Sequence, residues 1–120
     1  MIKIFCSVCL VFCAFCFAGN DAGKGRYELF PTTNMWTFLK LDTRTGKIWQ
    51  VQFSVEGDDY RFQTDLSLKN LAGEGKVFDG RFALYSTDNI YNFLLLDKFN
   101  GKVYQVQWGD RENRAVIEIE

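Results

Sequence analysis

Apolar and polar residues alternate with a period of two along most of the chain beyond residue 24, and no stretch there holds a 3.6-residue period. The segment Gly25 to Phe30 puts Tyr27 and Leu29 on one face and Arg26 and Glu28 on the other, as a half-buried strand does. Pro31 has no N–H to give to a ladder and ends or edges that strand. Met35 to Leu41 is apolar on both faces and suits a central strand. Lys47 to Phe53 alternates again, with Trp49, Val51 and Phe53 on one face and Ile48, Gln50 and Gln52 on the other. The loop Asp42-Thr43-Arg44-Thr45-Gly46 joins these two strands as a hairpin, Gly46 taking the left-handed position and forming a bulge. A fourth strand is expected over Tyr60 to Leu66.

The same pattern is then written a second time. Residues 25–53 align without gaps onto residues 80–108, an offset of 55, and 14 of the 29 positions are identical. Asn100-Gly101 gives the second hairpin an even stronger turn signal, and Asn113 to Ile119 echoes the fourth strand. Each copy is about four antiparallel strands with an apolar face that cannot stand alone, so two copies must cover each other. The expected fold is all-β: an antiparallel eight-strand sandwich or barrel made of two tandem repeats, at about 25–66 and 80–119. Copies this similar are expected to superpose strand for strand about a pseudo-twofold axis, Leu39 over Leu94 and Val51 over Val106. A trefoil would need three copies and a propeller at least four blades.

Residues 1–18 change the picture of compartment. Lys3 precedes an uncharged apolar run from Ile4 to Phe17, and Cys16-Phe17-Ala18 offers small residues at the positions a signal peptidase reads. A cleaved signal is expected, leaving Gly19 first and a secreted or periplasmic protein; the run is short for a retained spanning anchor. Cys6, Cys9, Cys13 and Cys16 mimic a metal motif, but in such a run cysteine serves as a small hydrophobe. The remaining chain has neither Cys nor His. It therefore relies on its core, for which 16 of the 20 aromatic residues remain. Removing Lys3 leaves 13 basic and 15 acidic residues, a charge of −2, which argues against nucleic acid. No basic amphipathic helix is present to hold a membrane, so no stable membrane insertion is expected.

The stretches Asn34 to Phe53 and Asn89 to Trp108 share the pattern N-x-Y/W-x-F-L-x-L-D-x-x-x-G-K-x-W/Y-Q-V-Q-F/W. This resembles a repeat of small secreted Bacteroidota proteins of unassigned function. The resemblance implies an exported bacterial β protein and brings no activity with it. The D-x-x-T-G-K-x-W portion also resembles hairpins of quinoprotein-type propeller blades, over a short stretch that is mostly turn chemistry.

Gln50, Gln52, Gln105 and Gln107 form a polar stripe kept in both copies, able to bind a glycan or peptide through amide hydrogen bonds. As the polar side of alternating strands, they are first expected on solvated outer faces. Trp36, Trp49, Trp108, Tyr91 and Tyr104 are expected in a core built from both copies. Phe99, with Lys98 beside it, sits at the second hairpin tip, where an apolar ring is a candidate partner contact. Asp42 and Asp97 open their hairpin loops as turn caps, and these loops carry too few oxygens for calcium. Glu56, Asp58 and Asp59 form a solvated loop tip.

Without His or Cys, a general base of the usual kind and a thiol nucleophile are missing, and no phosphate loop or dinucleotide fingerprint occurs. No catalytic residue, metal or cofactor is expected. The expected function is a non-catalytic binding or interaction module outside the cytoplasm, taking an unknown protein or glycan, as a monomer or weak homodimer. Two alternatives remain: an inhibitor or immunity-type protein acting through its hairpin tips on a secreted enzyme or toxin, and a small carboxylate-based hydrolase.

Overall fold

The computed structural model describes residues 25–120, so the signal-like segment and its four cysteines lie outside the described residues. Eight strands follow in order: β1 (Tyr27–Pro31), β2 (Thr37–Asp42), β3 (Ile48–Gln52), β4 (Phe62–Ser67), β5 (Phe82–Ser86), β6 (Asn92–Asp97), β7 (Val103–Gln107) and β8 (Ala115–Ile119). β1 to β4 form one antiparallel meander, sheet 1, and β5 to β8 a second, sheet 2. No ladder joins the two, so the eight strands make two stacked sheets and not a closed barrel.

The two hairpin loops share their closing hydrogen bonds. Asp42 N–H donates to Lys47 O at 2.9 Å, and Asp97 N–H to Lys102 O at the same distance. Gly46 and Gly101 close their loops by donating to Asp42 O and Asp97 O at 2.9 and 2.8 Å. Both adopt φ near +80°, the left-handed region expected of them. The bulge expected at Gly46 does not appear, since β2 and β3 pair without a shift; the register shifts instead between Ile48 and Trp49 where β3 meets β4, with no counterpart in sheet 2. Strand starts also move. Met35 and Trp36 belong to the turn before β2, where Asn34 Oδ1 accepts from Trp36 N–H at 2.9 Å. Single 3-10 turns over Asp58–Tyr60 and Arg111–Asn113 remove Tyr60 and Asn113 from the fourth strands.

The stacking corrects the expected symmetry. Sheet 1 turns Leu39, Leu41, Ile48 and Gln50 inward. Sheet 2 turns the other side of its repeat inward: Phe82, Leu84, Phe93, Leu95, Tyr104 and Val106, with Trp108 beyond the end of β7. Leu39 is fully buried while its counterpart Leu94 is 38% exposed. Leu84 is 5% exposed while its counterpart Leu29 is 61% exposed. A twofold axis would bury the same side of both copies; this contact is heterologous, one side against the opposite side. The sheets agree in strand order and, apart from the shift between β3 and β4, in register, but no pseudo-twofold axis relates them.

The expected core is therefore half right. Tyr104 and Trp108 are buried, whereas Trp49 is only partly covered and Trp36 and Tyr91 are exposed. Leu39, Leu41 and Ile48 join the aromatic side of sheet 2 and Leu66 in one apolar cluster. Each such side chain removed from water contributes about 1.5–3 kcal/mol. Polar groups complete the seam. Gly109 N–H donates to Gln50 Oε1 at 2.8 Å, and Arg114 Nη1 to Thr64 Oγ1 at 3.1 Å. Thr43, in the first hairpin loop, accepts from Gly80 N–H at Oγ1 and from Phe82 N–H at its carbonyl, tying the start of sheet 2 to sheet 1.

Candidate functional site

The stacking leaves one side of each sheet uncovered, and each is largely apolar with a polar margin: Gln63 and Asp65 of β4 on sheet 1, Asn92 and Gln107 on sheet 2. On sheet 1 the uncovered side carries Tyr27 and Leu29 from β1, Phe38 and Lys40 from β2, and Trp49 and Val51 from β3. Phe53, just past β3, extends it, its ring 5.1 Å from that of Trp36 and 6.3 Å from that of Phe38. The strands force this grouping, because directly paired residues share a side and alternation carries the set along each strand. Tyr27 and Trp49 meet edge to face at 6.4 Å. Lys40 lays its ammonium over the Trp49 ring at 4.8 Å and donates to Gln63 Oε1 at 2.6 Å. The ammonium also lies 5.8 Å from the Tyr27 ring centroid, so the patch carries a cation between its two central rings.

On sheet 2 the uncovered side carries Ala83 and Tyr85, Leu94 and Leu96, Val103 and Gln105, then Ile117 and Ile119, with Asn92, Gln107 and Ala115 at one end. Tyr85, Leu94, Ile117 and Ile119 are exposed. The strongly polar side chains on this side are Asn92, Gln105 and Gln107, and Gln105 Nε2 donates to Asn92 Oδ1 at 2.8 Å. Contiguous apolar surface of this kind is characteristic of docking faces in general.

The four glutamines do not share an environment. Gln50 is buried in the seam, correcting its expected place on a solvated face; Gln105 lies on the uncovered side of sheet 2. Gln52 and Gln107 line two grooves at equivalent places in the repeat. The first, about 270 Å³, is walled by Trp36, Phe53 and Tyr60. The second, about 640 Å³, lies among Thr33, Ile90, Tyr91, Trp108 and Asn113. Phe99 and Lys98 are exposed at the second hairpin tip as expected, but Phe99 has a partner within the chain: the Arg81 guanidinium lies 4.9 Å over its ring.

That guanidinium belongs to a pair the sequence reading missed. Arg81 Nε and Nη2 donate to the two oxygens of Asp97 at 2.9 and 2.8 Å, with both residues buried. Arg26 grips Asp42 in the same way at 3.3 and 3.1 Å. Burial alone would raise both carboxyls; hydrogen bonds from the paired arginine, and from the N–H groups of Arg44 and Phe99 respectively, outweigh it and hold them below the ordinary value. The signal was present in the sequence: a Gly-Arg and an Asp 16 residues on are identical in both copies. Turn capping accounted for the aspartates and hid their second role.

Among the described residues, no cluster of three or more His, Cys, Asp or Glu is placed to hold a metal ion, and no helix is long and apolar enough to cross a membrane. Every buried side-chain nitrogen and oxygen among them has a hydrogen-bond partner. Comparison with protein-family models, with curated proteins and with solved structures returned no match.

Proposed function

We propose that this chain is an exported, non-catalytic interaction module whose working surface is the uncovered aromatic side of sheet 1. The observation that carries this reading is a sheet side in contact with water that holds Tyr27, Leu29, Phe38, Trp49, Val51 and Phe53. Flat aromatic surface on a rigid sheet loses little conformational freedom on docking, and aromatic residues dominate binding hot spots. A protein partner fits it better than a small molecule, because the patch is broad and has no enclosing wall.

The test is capture. The immobilised chain is exposed to the cell-envelope and secreted proteins of its source organism, beside a Leu29→Glu variant. Leu29 is largely exposed, so the variant keeps its fold. Retention of a defined protein by the parent chain, lost in the variant, is the expected result. Equal retention by both would refute the reading.

A second reading is favoured by the grooves that hold Gln52 and Gln107, where amides lie beside aromatic rings in the manner of a neutral sugar site. Oligosaccharide titration followed by tryptophan fluorescence distinguishes it. A response abolished by Gln107→Ala supports the glycan reading, and a flat titration removes it. The inhibitor alternative rests on the Phe99 tip, whose ring already has a role over Arg81.

A further inference from the structure

We propose that the chain associates with further copies of itself head to tail, the uncovered side of sheet 1 in one copy seating on the uncovered side of sheet 2 in the next. This rests on reading the outer side of sheet 1 as a protein-binding surface, and it names the partner. The contact would repeat the one that already joins the two sheets within a single chain.

Equivalence across the repeat carries the inference. Within one chain, the side of sheet 2 bearing Phe82, Leu84, Phe93, Tyr104, Val106 and Trp108 seats on the side of sheet 1 bearing Leu39, Leu41, Ile48 and Gln50. An offset of 55 turns the first set into Tyr27, Leu29, Phe38, Trp49, Val51 and Phe53, which is the uncovered side of sheet 1. It turns the second set into Leu94, Leu96, Val103 and Gln105, the uncovered side of sheet 2. The two free surfaces are thus near copies of two surfaces already shown to fit each other. Several of these positions are identical in both repeats: Leu39 and Leu94, Leu41 and Leu96, Gln50 and Gln105, Phe38 and Phe93, Val51 and Val106. Water would demand none of these apolar side chains on an outer face. Gln105 gains a reason to match Gln50, whose carbonyl accepts from a backbone N–H of the facing sheet.

A contact between opposite sides does not use itself up. Each copy joined leaves one free side at either end, so the series closes into a ring or continues as a filament. About two to four copies in a ring would bring together roughly four to eight four-stranded sheets, the range of a propeller. Two positions depart from the match: Gln63 stands where sheet 2 has Val116, which packs against the core, and Lys40 is the other. Lys40 stands where sheet 2 has Leu95, which is fully buried. Lys40→Leu should therefore tighten association, by about tenfold.

Sedimentation velocity over a concentration series tests this on the purified chain, with Leu29→Glu blocking one end and Leu94→Glu the other. The expected result is assembly of the parent chain, a monomer for each variant alone, and a one-to-one pair when the two variants are mixed. Only a head-to-tail contact gives that complementation. Circular dichroism checks each variant's fold, and Ile117→Glu replaces Leu94→Glu if the latter unfolds. A parent chain that stays monomeric at every soluble concentration overturns the proposal. So does a single variant that still dimerises, since that contact would pair like sides. If the parent chain is monomeric yet Leu29→Glu abolishes capture of another protein, the inference fails while the interaction reading stands. If neither assembly nor capture depends on Leu29, both fail.

Discussion

Arg26 and Arg81 hold equivalent aspartates with the same two nitrogens, yet the Arg26 side chain is 44% exposed and that of Arg81 only 2%. The difference comes from what surrounds them. Arg81 is overlaid by the rings of Phe82 and Phe99, and its Nη1 donates to Lys76 O in the segment linking the two sheets. The same division runs through the sheets. One repeat buries its leucine and glutamine side, and the other its aromatic side. Closely related local sequence has thus been put to opposite uses, and position in the stack sets the energetic weight of a residue.

The sharpest break of this comparison is at the ion pairs. Asp97→Ala strands a buried guanidinium and should cost about 3–5 kcal/mol in denaturant unfolding. Asp42→Ala should cost a fraction of that, because the guanidinium it leaves behind is 44% exposed and water can take the place of the carboxylate. Equal losses would mean the two sites are equally sealed. The pairs also set acid behaviour. Both aspartates have folded-state values below the ordinary 3.8. Their contribution is therefore fully present well above 3.8 and is lost as pH falls below it toward the folded-state values. Stability of the parent chain should fall steeply there, and in Asp97→Ala the fall should be shallower.

Next come the equivalent leucines. Leu39→Ala should cost about 2–5 kcal/mol, as for other fully buried leucines. Leu94→Ala should cost well under half of that in the monomer, because its side chain meets water. Equal costs would restore the symmetric arrangement. The smallest effect concerns the hairpin glycines. Gly46→Ala and Gly101→Ala both force a side chain into the left-handed region, at roughly 1–2 kcal/mol. A Cβ at Gly46 would also meet Leu71 at 3.0 Å, while one at Gly101 meets nothing within 4 Å. Gly46→Ala should therefore be the worse of the two by thermal unfolding.

The strand count, the two hairpins and the doubling were legible because turn chemistry and period-two alternation are local. Asp42 to Gly46 and Asp97 to Gly101 specify their loops almost unaided. The buried side was not legible by the same rule. Alternation says which residues share a side, not which side faces in, and both sides of this repeat are largely apolar. Lys40 opposite Leu95 was a local sign that the aromatic side of the first copy faces out. Gln50 misled for the opposite reason: a polar residue was assigned to water when a backbone N–H of the other sheet was waiting for it. The uncovered sides followed from stacking alone, which no single strand encodes.

The central claim is that the two copies bury opposite sides, and methyl-to-methyl nuclear Overhauser contacts test it most directly. On uniformly labelled protein, the methyls of Leu39, Leu41 and Ile48 should show contacts to those of Leu95 and Val106, and the Gly109 amide should sit close to the Gln50 side chain. Contacts between Leu39 and Leu94 would place like sides together and contradict the account.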